Sequence, residues 1–245
     1  PNMGIWQRIG LALYSYGVVK ARRCQVSWVA EELSEQGKAS SVERRLRRWL
    51  RNRLIEVWDS CGWWIRWVIG QYEGGRPLLL VDETKLGARM GVLMVSLAYE
   101  GRAIPLIWRC YNANSHTAYP AEGQVQIITD LLAWVIAHLP AGCPTPLVEV
   151  DRGIGHSSDL QKAMRALGVM YLFRVPKNST LTLKNGKKHP LKKLVGHGQT
   201  WCGKGTLYAK KGKQMPKTYV HLIWKKGFKE PWCLVSNDPS IQGPT

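Results

Sequence analysis

Residues 78–82 read Leu-Leu-Leu-Val-Asp, and residues 147–151 read Leu-Val-Glu-Val-Asp. Each is a short apolar run of strand type that closes on a carboxylate. What lies between and after them decides the fold. Residues 90–99 and 102–109 are two apolar strands joined by a tight turn at Tyr99-Glu-Gly-Arg102. A helix follows within 121–139, where Val125, Ile128, Leu131, Leu132, Val135 and Leu139 recur at helical spacing before Pro140 ends it. After the second aspartate, Arg152-Gly-Ile-Gly155 turns into a helix over about 157–167, stopped by Gly168, and Val169–Val175 is a further strand. The order is strand, strand, strand, helix, strand, helix, strand, an α/β chain with a mixed five-stranded sheet.

This order lets the first and fourth strands run side by side in parallel, joined by a crossover. Both then end on one edge of the sheet, where open α/β sheets place their ligands. Asp82 and Asp151, 69 positions apart, meet there. Adjacent ionised carboxylates need a cation, and an oxygen-only site suits Mg²⁺ or Mn²⁺. A pair of such ions activates an attacking oxygen and stabilises the leaving one in phosphodiester chemistry. A second reading stays open, because an aspartate at a strand end also caps the turn that follows, and Asp151 stands before two glycines.

The charge agrees with a polyanionic partner. The 245 residues hold 35 Lys and Arg against 17 Asp and Glu, net +18, which disfavours cationic substrates. Residues 177–229 hold 14 lysines and no acid or arginine, while residues 1–70 hold 12 basic and 6 acidic groups. Lysine is a flexible point charge suited to phosphate contact without base choice. Lys187, Lys188, Lys192, Lys193, Lys210, Lys211 and Lys213 are therefore candidate DNA contacts, the alternative being a solvated charged loop. No apolar run is long enough to span a bilayer, and the opening Pro1-Asn-Met-Gly4 is not expected to be a secretory signal. The six cysteines form no CxxC, so neither a zinc ribbon nor a disulfide framework is expected, and a reducing cytoplasmic setting is.

The first seventy residues read as helices. Ile5, Ile9, Leu13 and Tyr16 give one apolar face, and 26–36 a second helix stopped by Gly37. Ser40-x-x-Glu43 is a capping box opening a third over residues 41–58. On that helix Val42, Leu46, Trp49, Leu50, Leu54 and Val57 lie opposite Arg44, Arg47, Arg48 and Arg51. The outline is that of a helix-turn-helix laid on DNA, or equally the solvated face of a bundle. Seven of the twelve tryptophans fall in this segment and are expected to build its core.

Val-Asp82-Glu-Thr84, Val-Asp151-Arg-Gly-Ile-Gly155 and Tyr-Leu-Phe-Arg174-Val in this order resemble the RNase H-like core of bacterial insertion-sequence DDE transposases, most of all the group named for insertion sequence four. The likeness covers about 75–176 and the strand Glu230–Asn237, more loosely the helical start. It implies a helical DNA-binding domain at 1–70 and an RNase H-like core at 71–176. A β-rich insertion at 177–229 and the last core strand in 230–245 complete it. It also implies that Asp82 and Asp151 are the first two catalytic, metal-binding aspartates of an enzyme that cuts transposon ends and joins them to target DNA. The implied setting is a homodimer on double-stranded DNA at the bacterial nucleoid; Lys85, beside a phosphate near the metal, and Arg152 are further candidate DNA contacts. The family's third acid, a glutamate on a helix within Tyr…Arg…Glu…Lys, has no counterpart in 238–245. The expectation is either a piece of a longer protein or a truncated, catalytically incomplete DNA-binding derivative.

Overall fold

The structure is a computed structural model that describes residues 3–113, 120–208 and 217–240. The chain divides into two compact units, 1–63 and 64–245, the division falling inside α4 (Val57–Gly70).

The first unit is built from α1 (Ile5–Ala21), α2 (Val26–Glu32), a 3-10 turn at Ser34–Gln36 and α3 (Ala39–Leu50). Its core is aliphatic: Val29, Ala30, Leu33, Val42 and Leu46 are buried, with Leu13, Tyr14 and Val18 packed against them. Each fully buried Val or Leu among them contributes about 1.5–3 kcal/mol by leaving water. Three expectations fail here. The inward face of α1 is not Ile5, Ile9 and Tyr16, all of which are exposed. It is the face of Gly10, Leu13, Tyr14 and Gly17, because the two glycines let α2 and α3 approach closely: a Cβ on Gly17 would meet Val29 and Leu33, one on Gly10 the Trp49 ring. The tryptophans do not form the core, since Trp6, Trp28, Trp63 and Trp67 are exposed. The third helix ends at Leu50 rather than 58, because the Asn52 side chain accepts from the Leu54 amide (3.0 Å) and so competes with the helical ladder. It also begins two residues earlier, after Lys38, without the Ser40 box.

The second unit is a mixed α/β structure around a sheet that has ten strands among the described residues, which hold six α-helices in all. Its strands are β1 (Leu78–Leu86), β2 (Met90–Tyr99), β3 (Arg102–Asn112), β4 (Leu147–Val150), β5 (Met170–Arg174), β6 (Thr180–Thr182), β7 (Lys188–Pro190), β8 (Thr200–Leu207), β9 (Lys217–Ile223) and β10 (Trp232–Ser236). They are ordered β3-β2-β1-β4-β5-β10-β9-β8-β6-β7. β1, β4 and β5 are mutually parallel, and β2 is antiparallel to both β1 and β3. The β2–β3 turn places Glu100 and Gly101 at φ 48° and 72°, the positive pair that a tight two-residue hairpin requires. α5 (Gly123–Ala137) packs on β2 and β3 and α6 (Ser158–Ala166) on β5, burying Ile128, Leu131, Leu132, Leu160 and Met164, while Leu79, Val81, Val148, Val150, Tyr171 and Phe173 of the sheet are buried as well.

The expected five-stranded sheet is therefore only half of the one observed. The lysine-rich segment does not stand apart from it but extends it. β10 pairs with the outer edge of β5, and β9 and β8 follow in antiparallel register, which leaves no open edge at β5. The junction is stitched by side chains. Asn237 accepts from the Tyr171 amide (3.0 Å) and donates to Val169 O (2.8 Å), continuing the ladder past the last paired residue. Buried Thr218 donates to Ser236 O at 2.9 Å and lies 3.2 Å from the Tyr171 hydroxyl. Among the described residues no helix is long and apolar enough to cross a membrane.

Candidate active site

The register of three parallel strands assembles the site. Val81 is paired with Val150, and Val150 with Phe173. One step further along each strand lie Asp82, Asp151 and Arg174, on neighbouring strands spaced about 4.8 Å apart. Alternation then sets which way they point. Leu79 and Val81 are buried under the helices, so Leu80 and Asp82 belong to the opposite face, and Asp82 and Asp151 are both exposed.

One expectation is corrected here. Asp82 does not end its strand, because β1 continues to Leu86 by pairing with β2 down to Leu86↔Met90. It stands where β4 stops at Val150, so the in-register pair sits at a step in the sheet rather than at its outer edge.

Each aspartate has one oxygen engaged. Thr84 Oγ1 donates to Asp82 Oδ2 at 3.0 Å, and the amides of Gly153 and Ile154 donate to Asp151 Oδ1 at 2.8 and 3.3 Å. The turn-capping reading of Asp151 is thus correct, and capping uses one oxygen while fixing the direction of the other. The cap of α6 is Ser157, whose hydroxyl accepts from the Leu160 amide. The turn is seated tightly on β5: Gly155 donates to Asp151 O at 2.7 Å, and a Cβ on Gly155 would lie 2.5 Å from Arg174 O.

Two neighbours were not singled out by the sequence. Glu149 shares the face of Asp151, in register between Leu80 and Leu172; the residue is exposed, and desolvation by the atoms packed around its carboxyl raises it above the ordinary range. The alternation of Glu149 and Asp151 in Leu-Val-Glu-Val-Asp was its available signal. Arg174 stands in the same row, its guanidinium 5.2 Å from the centre of the Trp232 ring. Glu83, by contrast, faces the helices, where Tyr111 Oη and Gln124 Nε2 donate to it, so it is not part of the site.

The predicted DNA contacts fall into three places. Arg44, Arg47, Arg48 and Arg51 are exposed on α3 and its C-terminal cap. Lys85 is exposed three residues after Asp82, and Arg152 follows Asp151 but donates to Glu230 at 2.7 Å. Glu230 also meets Lys177 at 2.9 Å, and that hydrogen bond, with both cations' charge, holds its carboxyl below the usual range. Lys187, Lys188, Lys192 and Lys193 are exposed around β7, at the far end of the sheet from the aspartates. Lys210, Lys211 and Lys213 lie outside the described residues.

As a metal site the pair offers two hard, solvent-facing oxygen donors, a set that fits Mg²⁺ or Mn²⁺ completed by water. Among the described residues no group of three or more His, Cys, Asp or Glu side chains is placed to hold an ion.

No protein-family model matches the sequence, and no curated protein matches it. Among solved structures the chain is similar to Ciona intestinalis endonuclease V in complex with a 24mer DNA containing an inosine followed by a ribo-adenosine. That likeness has 8% identity and a TM-score of 0.35, and covers 76% of this chain and 83% of that chain.

Proposed function

We propose that the chain is the RNase H-like core and DNA-binding region of a DDE transposase, acting on double-stranded DNA by metal-dependent phosphoryl transfer. The observation that carries the reading is the in-register placement of Asp82 and Asp151 on β1 and β4, within the strand order β3-β2-β1-β4-β5 that has β2 alone reversed. In this reading the core is 71–176 and the last core strand is β10. The lysine-rich strands clamp DNA backbone, and the protein works as a homodimer at the nucleoid.

Asp82 and Asp151 would hold Mg²⁺ or Mn²⁺, which supplies an activated oxygen nucleophile and stabilises the leaving oxygen. Around them the chain positions and neutralises. The Gly153 and Ile154 amides fix the Asp151 carboxylate, and Thr84 steadies Asp82. Lys85 and Arg174 contribute positive charge toward a phosphate lying over this row. Arg152 contributes less, because Glu230 already engages it.

The lack of a third close acid among the described residues favours one alternative, a DNA binder that does not cut alone. The test is Mn²⁺ titration by calorimetry together with nicking of supercoiled plasmid, using wild type, Asp82→Asn and Asp151→Asn. In the Asp151→Asn variant the amides of Gly153 and Ile154 can still donate to the side-chain carbonyl, so folding is preserved. Metal-dependent nicking that both variants lose supports the enzyme. DNA bound but never cut, with Mn²⁺ binding lost in both variants, supports the binder. Nicking retained in either variant overturns the metal role.

A further inference from the structure

The first unit holds an open groove of about 900 Å³ that the active-site reading does not use. Its walls are the N-terminal turn of α1, the C-terminal half of α3 and the turn after it. Six arginines line it: Arg44, Arg45, Arg47, Arg48, Arg51 and Arg53. Arg47 is engaged by Glu43 at 2.6 Å, but Arg45, Arg48, Arg51 and Arg53 have no acidic partner among the described residues. A helix C-terminus favours one or two cations through its dipole. That effect does not account for six gathered around one concavity, which makes it a patch of positive potential suited to an anion.

The same groove is lined by Trp6, whose side chain is 80% exposed. The wall behind it is rigid. Trp49 Nε1 donates to Gln7 O at 3.0 Å, Gln7 Nε2 donates to Leu54 O at 3.2 Å, and Gly10 lets the Trp49 ring lie flush against α1. The groove is therefore set before any ligand arrives, with a free aromatic face beside a run of unpaired guanidinium groups.

We propose that this groove binds an unpaired stretch of nucleic acid, one base stacked on Trp6 and its flanking phosphates on Arg45, Arg48, Arg51 and Arg53. A duplex presents a convex surface with its bases already stacked, and it has no use for a concave aromatic wall. A single strand offers both a free base face and a phosphate on either side. The inference rests on the reading that this unit binds nucleic acid, and it adds the strandedness and the base contact.

The test is fluorescence anisotropy with a labelled dT 12-mer, the same 12-mer carrying an abasic run, and a duplex of equal length. Trp6→Ala, Trp6→Phe and Arg48→Ala/Arg51→Ala are compared with wild type, with circular dichroism confirming the fold. Losing one stacked base costs roughly 5- to 150-fold. The expected result is a loss of that size for Trp6→Ala on dT, little loss on duplex, substantial recovery in Trp6→Phe, and a smaller abasic penalty in Trp6→Ala than in wild type. The arginine pair weakens dT in every background. Trp6→Ala within twofold of wild type on dT, or an equal loss on dT and duplex, overturns the base contact while leaving duplex binding intact. A Trp6→Ala variant that changes only the oligomeric state assigns the face to a second copy and also overturns it. Failure of every nucleic acid to bind sinks the underlying reading as well.

Discussion

Gly155→Ala is the sharpest probe of how Asp151 is held. The added Cβ would sit 2.5 Å from Arg174 O and 2.8 Å from Asp151 O, both backbone atoms that no rotamer change can move aside. The turn 151–155 must lift off β5 or β5 must shift, and overpacking of this kind costs about 1–3 kcal/mol. In a unit the size of 64–245, each kcal/mol lowers the melting temperature by roughly 2–4 °C, so the expected fall is about 2–12 °C. The lifted turn also carries the amides that orient the Asp151 carboxylate, and disturbing such supporting contacts weakens metal binding by roughly 10- to 100-fold. Thermal circular dichroism and Mn²⁺ calorimetry read the two effects. Gly70→Ala is the control, since no heavy atom lies within 4 Å of its Cβ position and its φ is ordinary. A Gly155→Ala protein melting within 1 °C of wild type with unchanged Mn²⁺ affinity would show that the turn is not seated on β5 as described.

Thr218→Val removes the hydroxyl shared by Ser236 O and the Tyr171 hydroxyl in a fully buried position, and should cost about 1–3 kcal/mol in urea unfolding. Glu149→Gln should stabilise the protein at pH 7. Burial raises the folded carboxyl's pKa, so the native state favours the protonated form, and stability present below about pH 4.5 is lost as the pH rises through the folded value. Melting curves from pH 4 to 8 should show the variant's advantage growing with pH. His221 gives the opposite slope. It is buried beside Cys202 (Nδ1 to Sγ 3.2 Å), and burial lowers its pKa. The unfolded chain therefore takes up the proton first, and stability falls as the pH drops through about 6.5. His221→Leu should flatten that acid-side slope, and an unchanged slope would assign it to other groups.

How much of this was legible in the sequence depends on the range of the interaction that decides each feature. The strand and helix order of the central region follows from local apolar runs and from Gly and Pro stops, and it reads directly. The constant offset from Leu78↔Leu147 to Val81↔Val150 is the 69-residue spacing of Asp82 and Asp151, so their adjacency is also a sequence property once the two strands pair. Features set by a partner elsewhere in the chain do not read. The inward face of α1 follows two glycines that contribute no hydropathy signal, and β1 outruns its expected end because β2 returns alongside it. β10 is expected as a core strand, but β6 to β9 join the same sheet only because β10 in turn offers an edge. Glu149 is linked to Asp151 only by sharing its face, and that matters only when the opposite face is covered.

That covering has a chemical consequence of its own. On β1 the parity of a residue decides whether a carboxylate becomes a structural group or is left free for chemistry. Glu83, one residue beyond Asp82, turns under the helices, and both of its oxygens are taken by Tyr111 and Gln124. Asp82 turns the other way, keeps to water, and meets Asp151 because β4 has the same parity. A slip of one residue between β1 and β4 would stagger the aspartates onto opposite faces and bring a charge beneath α5, where desolvation would have to be met by new partners. The buried pairs Leu79–Val148 and Val81–Val150 resist that slip, since each would exchange an apolar side chain for a polar one. The hydrophobic register of two short strands thus holds the candidate site together, although none of the residues enforcing it touches the aspartates' free face.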